Sequence, residues 1–201
     1  MEITAHAAYF HCMGQQQASD PAEALFTAEQ YASLPDDDAP TELVRGRIVR
    51  EAQPKWPHAR VQLWLGYLLT SQIEAHGWPL ECAGPVGCVV EEHPDTVRGP
   101  DLVVVRSGRP PGRAEFIGGG PELAIEILSP SNRRGEVRRK IEEYLAAGTS
   151  IVWVVDPRRR AVAVHSRNAA MRELRADAPL DGGDLMPDLP ITVAQIFSVL
   201  P

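Results

Sequence analysis

Two apolar runs constrain this chain more tightly than any other feature: LAIEIL at 123–128 and IVWVV at 151–155. A strand that shows one face to water alternates apolar and polar residues, so a run that is apolar on both faces has to be covered on both. Between the runs, SNRRGEVRRKIEEYLAAG (131–148) carries helical spacing, with Ile141 and Leu145 on its core side, Ser131 or Asn132 near its cap and Gly148 at its end. Strand, helix and strand in that order predict a right-handed βαβ unit. No glycine-rich phosphate loop precedes the helix, so no dinucleotide cofactor is expected.

The other segments extend this core. FTAEQYA reads as a short helix capped by Thr27, with Gln30 forming a partial capping box. TELVRGRIVREA reads as a hairpin turning at Arg45-Gly46. WPHARVQLWLGYLLTSQIEAHG is the longest predicted helix, with an apolar stripe of Val61, Trp64, Leu65, Leu68, Leu69 and Ile73 and an end at Gly77. PVGCVVEE and PDLVVVRSG are further strands, RAVAVHSR pairs antiparallel with the run before it, and the tail holds a turn and a short closing helix. The expectation is an α/β fold, a mixed central sheet flanked by helices. Residues 1–22 read as a loose leader and 23–201 as one domain.

A chain of 201 residues suits one core. There is no apolar run of about 18 residues and no charge-flanked leader, which predicts neither a membrane span nor a secretion signal. Cys12, Cys82 and Cys88 lack metal-binding spacing, so reduced thiols in a cytoplasm are expected. A formal charge of −7 argues against a sequence-blind nucleic-acid coat but leaves room for a local basic patch.

Two acids stand out in this apolar context. Asp101 opens one run, and Glu126 sits inside another, sharing a face with Ala124 and Leu128. A lone buried carboxylate neutralises or finds a partner. One reading is a structural ion pair to an arginine. The other is a divalent metal site, with Asp101 and Glu126 on adjacent strands and the Ile127 carbonyl as a third oxygen. Lys140 lies on the following helix, lining one side with Glu136 and Tyr144. It can supply a cation beside an attacking water, or it can belong to a solvated face with Glu136–Lys140 and Arg139–Glu143 pairs. Arg133, Arg134, Arg138 and Arg139 make a basic cluster that suits either phosphate or solvent, and Arg109 and Arg113 can flank it. Glu42 and His58 border the site on one reading and serve their own turns on the other.

These stretches, GPDLVVV, LAIEILSPSNRRGEVRRKIEEYLAAGTSIVWVVDPRRRAVAVH and LDGGDLMPDLPI, resemble the Uma2 family, also called DUF820, over about Phe26 to Leu200. That mostly bacterial family is itself similar to the PD-(D/E)XK nuclease superfamily. The resemblance implies a restriction-endonuclease-like core in which Asp101 and Glu126 bind metal, Mg²⁺ or its substitute Mn²⁺. The superfamily's lysine position, two residues beyond Glu126, holds Leu128 here. In the family the basic role is thought to move to the next helix, where Lys140 matches. Glu42 matches an early family acid, His58 the histidine opening the long helix, and Tyr144 an aromatic packed near the lysine.

The function expected is DNA phosphodiester hydrolysis by a Mg²⁺-dependent endonuclease, with Asp101 and Glu126 on the metal and Lys140 orienting or deprotonating water. A domain of this size facing two strands is expected to work as a homodimer. The alternative is a catalytically inactive module that keeps the fold and binds nucleic acid or a protein partner.

Overall fold

The computed structural model describes residues 24–35 and 39–201. The expected leader at 1–22, with Cys12, lies outside them. Helix α1 (Ala28–Ala32) starts at Thr27, whose hydroxyl accepts the Gln30 N–H while the Gln30 side chain accepts the Thr27 N–H, a complete capping box. The hairpin follows as β1 (Thr41–Val44) and β2 (Arg47–Arg50), turning through Arg45 and Gly46 at φ 50° and 74°. Helix α2 (Trp56–His76) buries His58, Val61, Leu65, Leu69 and Ile73, and closes on left-handed Gly77. Trp64 and Leu68, expected on that stripe, are half-buried.

The strands after α2 are β3 (Leu80–Ala83), β4 (Cys88–Glu91), β5 (Thr96–Arg98), β6 (Leu102–Arg106), β7 (Ile117–Gly118) and β8 (Leu123–Ile127). Then come α3 (Arg134–Ala146), β9 (Ile151–Asp156), β10 (Ala161–Ser166), β11 (Ala169–Arg175) and α4 (Val193–Phe197). They form two mixed sheets, one ordered β11-β10-β9-β8-β6-β3 and the other β2-β1-β5-β4-β7. As the apolar runs required, β8 and β9 are parallel and joined by α3. One face of β8, with Leu123, Ile125 and Ile127, packs into the large core with α2 and α4. The opposite face, with Ala124 and the adjoining Leu128, packs with Ile141, Tyr144, Val152 and Val154. Val90 of β4 joins that second cluster, so α3 lies between the two sheets.

The structure departs from the sequence reading in four places. A second, smaller sheet stands beside the expected central one, and PVGCVVEE supplies β4 to it. β3 and β5 are three or four residues long, too short for a periodic signal. β11 is an edge strand exposed along most of its length, so backbone pairing to β10 makes it a strand rather than an apolar pattern. The residue at the α3 cap is Arg133, with no side-chain cap bond; Asn132 Oδ1 instead accepts the Ser129 N–H.

Register brings the two acids together. β6 runs antiparallel to β8 with Leu102 opposite Ile125, so the next step of the ladder sets Asp101 level with Glu126. The Ile127 N–H donates to Asp101 Oδ2 at 2.6 Å, and the Gln62 side-chain amide on α2 donates to the Asp101 carbonyl at 2.8 Å. Gly84 leaves room for this turn: a Cβ there would meet the Asp101 carbonyl oxygen at 2.3 Å and the Leu102 Cα at 2.9 Å. Gly84→Ala is therefore expected to destabilise the protein by about 1–3 kcal/mol, the range for overpacking, measured by urea denaturation.

Candidate active site

Burial is the starting fact of the site. Lys140 is 5% exposed, Glu42 3% and Arg98 2%. Charges that far from water survive only when each is closely partnered. Glu42, on β1, accepts the Lys140 ammonium at 2.9 Å and the Gly99 N–H at 2.9 Å on one oxygen, and Arg98 Nη1 at 2.7 Å on the other. The rest of the Arg98 fork grips Glu143 of α3, Nε at 2.6 Å and Nη2 at 3.1 Å. Two further carboxylates face Lys140, Glu51 at 3.5 Å and Glu126 at 3.8 Å. Glu126 Oε1 also accepts the Tyr144 hydroxyl at 2.7 Å. Asp101 Oδ1 lies 3.1 Å from His58 Nε2.

The sequence-selected residues Glu42, His58, Asp101, Glu126, Lys140 and Tyr144 thus form one connected cluster. Among the described residues Glu126 has no arginine partner of the kind considered from sequence; it meets Tyr144 and Lys140 instead. Lys140 does not lie on a solvated face, and Glu143 pairs with Arg98 rather than Arg139. Sequence reasoning missed Arg98, Glu143 and Glu51. Arg98 and Glu143 sit in ordinary-looking polar segments. The only signal for Glu51 was its place just past the hairpin that carries Glu42.

The basic residues divide. Arg133, Arg134 and Arg139 are exposed. Arg133 and Arg139 line a groove of about 670 Å³ with Arg50, Glu51, Asn132 and Glu136. Arg138 pairs with Glu142 one turn on, at 2.8 Å. Arg109 is held by Glu122 and by the carbonyls of Gly118 and Gly120, and Arg113 by Glu29, Glu92 and Asp95. Those two arginines brace the loop between β6 and β8.

Proton affinities follow from this arrangement. Burial pushes the Glu126 carboxyl up, Asp101 and Glu42 push it further, Lys140 and the Tyr144 hydroxyl oppose them, and the outcome is about 7. Burial alone would raise Glu42 too, but Lys140, Arg98 and the Gly99 N–H hold it below the ordinary carboxylate range. Glu51 is raised by burial and by Glu42, against Lys140. Burial disfavours the charged Lys140, yet Glu126, Glu42 and Glu51 outweigh it and raise its proton affinity. The lysine is therefore a fixed cation at neutral pH, suited to steadying charge and not to taking a proton.

Among the described residues, no three His, Cys, Asp or Glu side chains form a ready-made metal-binding group, and no helix is long and apolar enough to cross a membrane. The donor set does fit a hard cation. Three carboxylates (Glu42, Glu51 and Glu126) face one lysine, Asp101 lies beside Glu126, and Glu51 Oε1 is buried without a hydrogen bond among the described residues. Mg²⁺ commonly takes only one or two protein carboxylates and keeps waters for the rest.

Comparison with known proteins gives a family and a fold. The model of the Uma2 family, described as "Putative restriction endonuclease", matches residues 28–194. A solved structure from Anabaena variabilis ATCC 29413, described as a "putative nuclease belonging to DUF820", superposes with a TM-score of 0.77 at 22% identity, covering 88% of this chain and 99% of that one. The likeness establishes the restriction-endonuclease-like fold. No curated protein matches the chain.

Two outcomes follow for stability. Glu42→Ala removes the buried carboxylate that Arg98 and Lys140 share and is expected to cost about 3–5 kcal/mol, read by urea denaturation. With EDTA present, Glu126 is ordinary at 4.5 in the unfolded chain and about 7 in the folded one. The native state then holds the extra proton between these values, so stability falls as pH rises from about 4.5 to about 7, by on the order of 3 kcal/mol. Glu126→Gln should remove that loss, and the variant should be the more stable protein at pH 8.

Proposed function

The chain belongs to the Uma2 family, and from that premise we propose that it is a metal-dependent endonuclease cleaving DNA phosphodiesters. The observation that carries the proposal is the convergence of Asp101 and Glu126, level on adjacent strands, with the Lys140 ammonium 3.8 Å from Glu126. Asp101, Glu126 and the Ile127 carbonyl would hold Mg²⁺ or Mn²⁺. Such an ion, when bound, supplies Lewis acidity to a phosphate and lowers the pKa of a water.

This chain's own residues do the positioning. His58 and the Ile127 N–H fix the two oxygens of Asp101. The Tyr144 hydroxyl fixes Glu126 Oε1, which leaves Oε2 toward Lys140. Lys140, kept protonated by its carboxylates, orients water and steadies the negative charge that grows on the phosphate. Glu42 and Arg98 hold the lysine there. Arg133, Arg134 and Arg139, free of ion pairs among the described residues, contact neighbouring phosphates beside the groove.

One observation favours a second reading, a non-catalytic nucleic-acid-binding module. The Lys140 ammonium lies closer to Glu42 and Glu51 than to Glu126, as in a structural ion pair, and Leu128 occupies the superfamily's lysine position.

Plasmid cleavage separates the two. The wild type should nick supercoiled DNA with Mg²⁺ or Mn²⁺ and not with EDTA. Asp101→Asn and Lys140→Met, shown to be folded by circular dichroism, should lose at least about a hundredfold in rate, the scale for removing one transition-state stabiliser. Metal-independent binding without cleavage by the wild type supports the module instead. Arg133→Gln with Arg139→Gln should reduce the salt slope of DNA binding by about 1.8, at about 0.9 for each phosphate no longer neutralised. An unchanged slope would remove both arginines from the interface.

A further inference from the structure

The outward side of α2 carries an apolar face exposed to solvent. Trp56 is 76% exposed, Leu63 74% and Tyr67 59%. Their spacing places them on one stripe of the helix, opposite the buried stripe of His58, Val61, Leu65, Leu69 and Ile73. The aromatic surface is ordered: Tyr67 stacks on Trp64 at 5.2 Å between centroids, and the Arg60 guanidinium lies 5.9 Å from the Trp56 ring centre. Three large exposed apolar side chains on one stripe, with Arg60 between Trp56 and Leu63, are the pattern of an interaction surface and not of a solvated helix.

Its charges specify the partner. Arg60 lies seven residues before Tyr67 and Glu74 seven after, so all three share the stripe two turns apart. Neither Arg60 nor Glu74 forms an ion pair among the described residues. Between Arg60 and Glu74 the stripe presents Leu63 and Tyr67, and a stretch positive at one end and negative at the other complements itself when turned end for end. Parallel pairing would set like charges together. We propose that this face is the interface of a homodimer. In it α2 packs antiparallel against α2 of a second copy, with the two-fold axis at Tyr67 and Arg60 of each copy against Glu74 of the other. Such an interface is isologous and closed, so it makes dimers and not chains of molecules. It leaves the active-site cluster free, because His58 points inward from the opposite side of the same helix.

Sedimentation equilibrium on the full chain, from micromolar to submillimolar concentration, tests this independently of catalysis. The wild type should approach twice the 22.0 kDa of one chain. Arg60→Glu and Glu74→Arg should each weaken the dimer by about tenfold or more, since every dimer then carries two repulsive contacts. The double variant should restore association, because exchanging both charges restores complementarity. Leu63→Glu should be monomeric. All three substitutions are at exposed positions, so each of the four variant proteins should leave the circular dichroism unchanged. A wild type that is monomeric throughout, a dimer indifferent to the single charge reversals, or a double variant that fails to recover would each overturn the proposal.

Discussion

A buried lysine held by a carboxylate from another sheet is the contact on which this structure turns. Lys140 is on the helix that connects β8 to β9, and Glu42 is on the hairpin of the small sheet. Their bond joins the two sheets through α3, and Arg98 repeats the connection by gripping Glu42 with one arm and Glu143 of the same helix with the other. Removing such groups from water is costly, and an apolar replacement of similar shape often serves stability as well or better. An ionic core therefore calls for a reason beyond stability. Here the same lysine that ties the sheets together is the cation set beside Glu126.

The position of that cation follows from the backbone. In β8, alternate residues face α3, and Glu126 is the polar member of that face. Leu128, two residues on, adds to the apolar cluster under α3. With the strand position filled by leucine, a long side chain from the crossover helix is the nearest way to bring a charge over Glu126. Tyr144, one turn beyond Lys140, takes the other Glu126 oxygen. Helix spacing thus lets two residues of one face hold a single carboxylate, one by charge and one by hydrogen bond.

Much of this was legible in the sequence, and the reasons are local. The βαβ unit could be read because LAIEIL and IVWVV are apolar on both faces, and the hairpin because Arg-Gly interrupts two apolar-polar segments. Asp101 and Glu126 stood out because each is charged in an apolar setting. Lys140 gained meaning only through the strand before it. Arg98, Glu143 and Glu51 were not legible. Each is a charged residue among other polar residues, and its burial depends on how the small sheet closes over α3, a contact between segments distant in sequence. Arg109 and Arg113 looked like free cations for the opposite reason: their partners Glu122, Glu29 and Asp95 come from helix α1 and from loops that only the fold brings near. Charge pattern identifies candidates, while tertiary closure determines which charges are already neutralised.

On the proposed function, a second and exchangeable cation completes the cluster of carboxylates around the fixed charge of Lys140. Anomalous diffraction from crystals equilibrated with Mn²⁺ tests it most directly. A peak is expected between the carboxylates of Asp101 and Glu126, with oxygen ligands at roughly 2.0–2.1 Å, as for a small divalent ion. A crystal saturated with Mn²⁺ and showing no peak there, with the Lys140 cage unchanged, would contradict it.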